Sequence, residues 1–149
     1  MLNAPRYTNA KTLVARRNFG TGSSREAAVY ALWDYGIRCV IAPSFGDIFA
    51  SNAVKNGLLP ANVNEADVET LIQHLATSAA PVVRIDLEAQ SVGIGARQFG
   101  FQIDPVHRLQ LLNGWDDIDL TLRHSEQIAS YRRHRVAAEP WIVPAPPQA

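Results

Sequence analysis

Between Thr12 and Leu75, short apolar runs of strand type alternate three times with segments of helical periodicity, an order that few folds accommodate. Thr12–Ala15 reads as a short buried strand. It runs into a glycine-containing loop, and a helix is expected from about Arg25 to Tyr35, with Ala28, Leu32 and Tyr35 at helical spacing and Gly36 as its stop. Ile37–Ala42 is an apolar run rich in β-branched residues and closed by Pro43, as in a strand buried on both faces. A second helix is expected over Ser44–Asn56 and a third strand over Leu58–Val63. Asn64 then caps a third helix, which presents Val68, Leu71, Ile72 and Leu75 on one face. Strands separated by helices predict parallel pairing through crossover connections.

After Pro81 the texture changes. Val82–Leu87, Ser91–Ile94 and Gln98–Ile103 are short strand-like runs with glycine-containing turns, as in antiparallel pairing. From Pro105 the pattern is helical again, interrupted at Asn113-Gly114, and 140–149 is a proline-rich tail. The fold class expected is α/β, one layered domain over 1–139 with a helical extension from about 105.

Other classes are disfavoured by composition. Fourteen basic and fourteen acidic residues leave a formal net charge of +0, with no electrostatic footprint for nucleic acid. No apolar stretch approaches the about 20 residues that span a bilayer. The basic cluster at Tyr131–Arg135 reads as a solvated helix end. One cysteine, Cys39, excludes an internal disulfide and suits a reducing cytoplasm. A single thiolate also cannot hold an iron–sulfur cluster, so no cofactor is expected on this chain itself. His74, His107, His124 and His134 are scattered over helical segments and read as structural or solvated.

The stretch richest in chemistry is Asn18-Phe19-Gly20-Thr21-Gly22-Ser23-Ser24-Arg25-Glu26. Gly20 and Gly22 permit unusual backbone angles and close approach of a ligand. Ser23, Ser24 and Arg25 stand where a helix is expected to begin, beside its free N–H groups and positive dipole end. The guanidinium matches a carboxylate in bidentate fashion. Read from the residues, this is a site for an oxyanion with a serine placed to touch it. A plain helix cap on a glycine-shaped turn is the structural alternative. Nucleotide loops fit poorly, because the Walker pattern needs a Lys after its final Gly and the dinucleotide fingerprint needs a third Gly where Arg25 stands. The Gly-x-Ser-x-Gly elbow of serine hydrolases is absent.

This loop resembles the Gly-x-Gly-Ser-Ser-Arg-Glu motif of swivel domains in the aconitase and isopropylmalate isomerase superfamily. Ala42–Phe49, then Asn52 and Lys55-Asn56-Gly57-Leu58-Leu59-Pro60, is similar to a second signature of that domain. Leu111–Ile118 with Leu120-Thr121-Leu122 resembles the C-terminal extension of isopropylmalate isomerase small subunits. The resemblance implies a swivelling β/β/α layered domain with a mixed sheet. It also implies a hydro-lyase that isomerises 2-isopropylmalate by dehydration and rehydration in leucine biosynthesis, active only with a large subunit. That partner would carry a [4Fe-4S] cluster acting as Lewis acid. By motif position Ser23 is the catalytic base, Ser24 and Arg25 bind the hydroxy-diacid substrate, and Gly20 and Gly22 shape the loop. Lys55 and Asn56 would shape the surroundings without reacting.

The chain departs from the pattern twice. Ala27 stands where the family usually has His. The N-terminal part of the family domain, with a segment resembling Asp-Thr-Asp-x-Ile-Ile-Pro, is missing before Arg6-Tyr7, an absence expected to leave an edge strand open to self-association. Two alternatives to the isomerase stay open: a related hydroxy-diacid dehydratase, and a truncated swivel module without catalysis.

Overall fold

The computed structural model describes residues 4–22, 24–78 and 81–142. Two compact units divide between Gly114 and Trp115. In the first, β1 (Thr12–Val14), α1 (Ala27–Tyr35), β2 (Cys39–Ala42), α2 (Asp47–Lys55) and β3 (Leu59–Asn62) follow in the expected alternation. The strands form a parallel sheet in the order β1-β2-β3, with Leu13 opposite Val40 and Val40 opposite Pro60. Next come α3 (Glu65–Thr77) and the antiparallel sheet β4 (Val83–Asp86), β5 (Ser91–Ile94), β6 (Arg97–Gly100). The mixed sheet is thus realised as two ladders, joined by an antiparallel bridge in which Asn62 and Gln102 exchange backbone hydrogen bonds of 3.2 and 2.8 Å.

β2 shows why a short apolar run is enough to organise the unit. Successive side chains of a strand point to opposite faces. Val40 enters a cluster with Val29 of α1, Phe49 and Ala53 of α2, and Ile37 and Leu58. Cys39 and Ile41 face the other way, into a cluster with Val68 and Leu71 of α3 and Val92, Ile94 and Phe101 of the antiparallel layer. One face of the parallel sheet is therefore covered by α1 and α2, the other by α3 and the antiparallel sheet. Burial on both faces is the setting in which parallel strands read as unbroken apolar runs.

Pro60 sits in β3 without breaking the ladder. The Leu59 and Val63 amides donate to β2 and its extension, at Arg38 and Ala42, whereas the Asn62 amide donates the other way, to Gln102. Position 60 shares the outward side, where a missing N–H costs the β2–β3 pairing nothing.

Apart from β5, the strands are shorter than or shifted by a few residues from the expected runs, and two helix starts differ for identifiable reasons. The second helix begins at Asp47, not Ser44, because Ser44 and Gly46 are committed to hydrogen bonds with another loop. The first begins at Ala27, not Arg25. Its first i→i−4 bond runs from Tyr30 N to Glu26 O, and Arg25 contributes only a tighter bond from Ala28 N.

α4 (Pro105–Asn113), capped by the Asp104 side chain and closed by Gly114 in the left-handed region, completes the first unit. The second unit contains α5 (Asp117–Leu122), entered through an Asp116/Asp119 capping box, and α6 (Ser125–Ala138). Its last described element is a 3-10 turn at Pro140–Ile142; the rest of the proline-rich segment, 143–149, lies outside the described residues. No helix among the described residues is long and apolar enough to cross a membrane.

Ile41 is fully buried and Ile118 is 67% exposed. Ile41→Ala is expected to lower unfolding stability in urea by about 2–5 kcal/mol, and Ile118→Ala to change it by less than about 0.5 kcal/mol.

Candidate active-site loop

Parallel pairing sends the C-terminal ends of β1 and β2 to one edge of the sheet, so the loops that follow them lie side by side. Just past β1, Arg16 meets Glu69 through two hydrogen bonds of 2.6 and 3.1 Å, and Arg17 meets Glu65 at 3.1 Å. The Arg16 guanidinium holds the Glu69 carboxyl below the usual carboxylate range. Both pairs are solvent-exposed, so they guide the chain past α3 more than they stabilise it.

At Asn18 the chain turns into the left-handed region, with φ 62°, a conformation that asparagine adopts more readily than most residues. Its backbone N–H donates to Ser44 Oγ at 2.8 Å, and that hydroxyl donates back to Asn18 Oδ1 at 3.1 Å. Phe19 N donates to Ser44 O at 3.0 Å and Gly46 N to Phe19 O at 2.9 Å, closing a parallel bridge between Phe19 and Phe45. Phe19 packs edge-on to Phe45 and Phe49, with ring centroids 6.3 and 5.2 Å away. The two loops are clasped by polar bonds above and aromatic contact below.

Gly20 is required at this clasp. Its φ is 78°, and a Cβ there would come within 2.3 Å of the Phe49 ring. Gly22 differs: its φ lies outside the positive region, and a Cβ would meet nothing within 4 Å. Thr21 folds back, its hydroxyl donating to Asn18 O at 3.0 Å.

Ser23 lies outside the described residues. Ser24 and Arg25 are exposed, and both precede α1. Ser24 lines an open depression of about 260 Å³ together with Gly20, Thr21, Gly46, Asp47, Ile48 and Phe49. The first two signatures noted in the sequence therefore meet at one depression. A larger groove of about 590 Å³ runs along α6, but all five of its lining residues come from that one helix, so it is open helix surface.

Glu26 leads directly into α1. Its carboxylate accepts from Asn56 Nδ2 at 2.8 Å, and also from the Tyr30 hydroxyl, whose pKa this hydrogen bond raises. No side chain caps α1 from the Glu26 position, and the Ala28 and Val29 amides are taken by Arg25 O and Glu26 O. The helix start thus offers fewer open amides than its sequence promises. Sequence reasoning missed the Asn18–Ser44 clasp and the Glu26–Asn56 bond. The available signal was Gly46, a weak helix former within the run read as a helix.

The donor set does not fit an iron–sulfur cluster. Cys39, the one cysteine, is buried in β2, and burial pushes its thiol up to about 12. Among the described residues, no group of three or more His, Cys, Asp or Glu side chains could hold a metal ion. Thiol alkylation at pH 8 should leave native Cys39 unmodified and label it fully in denaturant; rapid native labelling would contradict its burial. Gly20→Ala is expected to cost about 1–3 kcal/mol in urea unfolding, by strain at positive φ and collision with Phe49. Gly22→Ala should stay within about 0.5 kcal/mol of the parent.

The chain is similar to known proteins in sequence and in fold. A family model of the aconitase C-terminal domain matches residues 1–66, and a model of the C-terminal domain of the 3-isopropylmalate dehydratase small subunit matches 117–145. The 3-isopropylmalate dehydratase small subunit of Rhodospirillum centenum is 49% identical over 144 residues, covering 96% of this chain and 71% of that protein. The crystal structure of 3-isopropylmalate dehydratase from Methanocaldococcus jannaschii superposes with a TM-score of 0.60 at 32% identity, over 80% of this chain and 68% of that one. With 49% identity over 96% of this chain and 71% of the Rhodospirillum centenum relative, and with the C-terminal family model matched, the chain belongs to the family of 3-isopropylmalate dehydratase small subunits.

Proposed function

We propose that the loop from Gly20 to Glu26 is this chain's share of a composite active site, completed by a large subunit. The chain works as the small subunit of a 3-isopropylmalate dehydratase, a hydro-lyase of leucine biosynthesis; the observation that carries this is the 49% identity over 96% of its length. The reaction removes a proton and a hydroxyl from adjacent carbons of 2-isopropylmalate to give an unsaturated diacid. Water then returns with the hydroxyl on the neighbouring carbon.

In this reading Ser23 takes the proton and later returns it. A serine hydroxyl is a weak base, so its oxygen needs donors and positive charge nearby in the reacting state. Arg25 supplies a fixed positive charge, and its planar fork binds one substrate carboxylate. Ser24, on the rim of the depression, donates to substrate. Gly20 holds the loop against Phe49, and Gly22 keeps the approach to the loop open. Ile48, 54% exposed and lining the same depression as Ser24, gives it an apolar side.

We assign the [4Fe-4S] cluster of the enzyme to the large subunit, because the sequence has one cysteine, Cys39, and it is buried. The further proposals are a cytoplasmic location and self-association of the isolated chain through β1, which pairs on one side only among the described residues.

The test is co-purification with a cluster-loaded large subunit, followed by formation of the unsaturated diacid from 2-isopropylmalate. Ser23→Ala should lower turnover by about 10²–10⁴-fold while leaving assembly intact. Undiminished turnover in that variant would remove Ser23 as the base. A complex that leaves 2-isopropylmalate unchanged but dehydrates another hydroxy-diacid would redirect the substrate.

A further inference from the structure

We propose that Glu26 is a positioning residue for this reaction, anchoring the end of the active-site loop to the C-terminal end of α2 through Asn56. The inference rests on the functional reading above and adds a residue to it.

The loop and α2 meet twice. At the start of α2, Ser44 and Gly46 bind the chain at Asn18 and Phe19, and Phe49 lies under Gly20. At its end, Asn56 Nδ2 donates to Glu26 Oε1 at 2.8 Å, a part-buried bond between residues 30 apart in sequence. Nine helical residues lie between these anchors, a rise of about 13 Å. The residues on either side of the active-site loop are therefore attached to the two ends of one rigid element.

Asn56 is itself held. The same Nδ2 donates to Asn52 O at 2.8 Å, and its backbone N–H is shared between Asn52 O and Ala53 O at 3.2 Å each. Two acceptors, a carbonyl and a carboxylate, face one nitrogen, and this fixes which end of the amide is which. The Tyr30 hydroxyl, one turn further along α1, donates to the same Glu26 carboxylate. Glu26 is half-buried and is not among the residues lining the depression, so its carboxylate serves the loop and not the substrate.

Between the anchors, Thr21, Gly22, Ser24 and Arg25 are all exposed. Thr21 is also tied to Asn18 O, and the placement of these residues further follows from where the two ends are held. Loss of the second anchor leaves the sheet and both helices in place but widens the positions open to Ser24 and Arg25. A misplacement of about 1 Å at a reacting group is enough to cost about a hundredfold in rate.

The experiment combines hydrogen exchange on the full chain with turnover of the assembled enzyme. Glu26→Ala should raise exchange over 18–26 by about tenfold while β2 keeps its protection, and should lower kcat/KM by about tenfold or more. Glu26→Gln, which keeps an acceptor oxygen for Asn56, should stay within about threefold of the parent on both readouts. Asn56→Asp sets two carboxylates against each other and should reproduce the loss, with Glu26→Gln in that background restoring both. The proposal is overturned if Glu26→Ala leaves loop exchange unchanged, if it deprotects β2 equally, or if Glu26→Gln is as damaging as Glu26→Ala. Absence of turnover in the unmutated complex would instead overturn the functional reading, and the exchange pattern would still decide the anchor.

Discussion

The clasp between the segment after β1 and the segment after β2 is the interaction on which the site depends. It has a cause at the level of topology. Two parallel neighbours must end at the same edge of their sheet, so the loops leaving them are forced together. What the sequence adds is chemistry that turns proximity into a fixed geometry. Asn18 accepts the left-handed turn, Ser44 returns its hydrogen bond, and Gly20 lets the backbone lie on Phe49. Without the clasp, Ser24 would have no fixed relation to Asp47, Ile48 and Phe49 across the depression.

The clasp in turn relies on β2. This strand is buried along its whole length, and its alternating side chains hold α1 and α2 on one face and α3 with the antiparallel layer on the other. The chemistry offered at the strand ends is partial. The loop carries hydroxyls and a guanidinium suited to binding and proton transfer, while the one thiol is buried inside the core. Such a division suits a small subunit whose remaining chemistry comes from another chain.

Much of the architecture was legible in the sequence, because apolar alternation and the residues that stop helices are local signals. Gly36, Asn64 and Gly114 mark ends that the structure reproduces in register. The shift of the second helix from Ser44 to Asp47 had only Gly46 as a local signal, since its cause is Asn18, a residue 26 positions away in sequence. The Glu26–Asn56 bond was hidden for the same reason: each residue has a sufficient local explanation, one as a helix start and the other as a helix end. The motif at 20–26 identified the family but not its own geometry. Arg25 was expected within the helix and stands before it.

The most direct measurement is a crystal structure of the chain assembled with its large subunit and 2-isopropylmalate. One substrate carboxylate is predicted on the Arg25 guanidinium, with Ser24 in hydrogen-bond contact and Ser23 Oγ facing the carbon that loses its proton. A substrate held wholly by the large subunit, with the loop from Gly20 to Glu26 turned to solvent, would contradict the assignment of this loop as half of the active site.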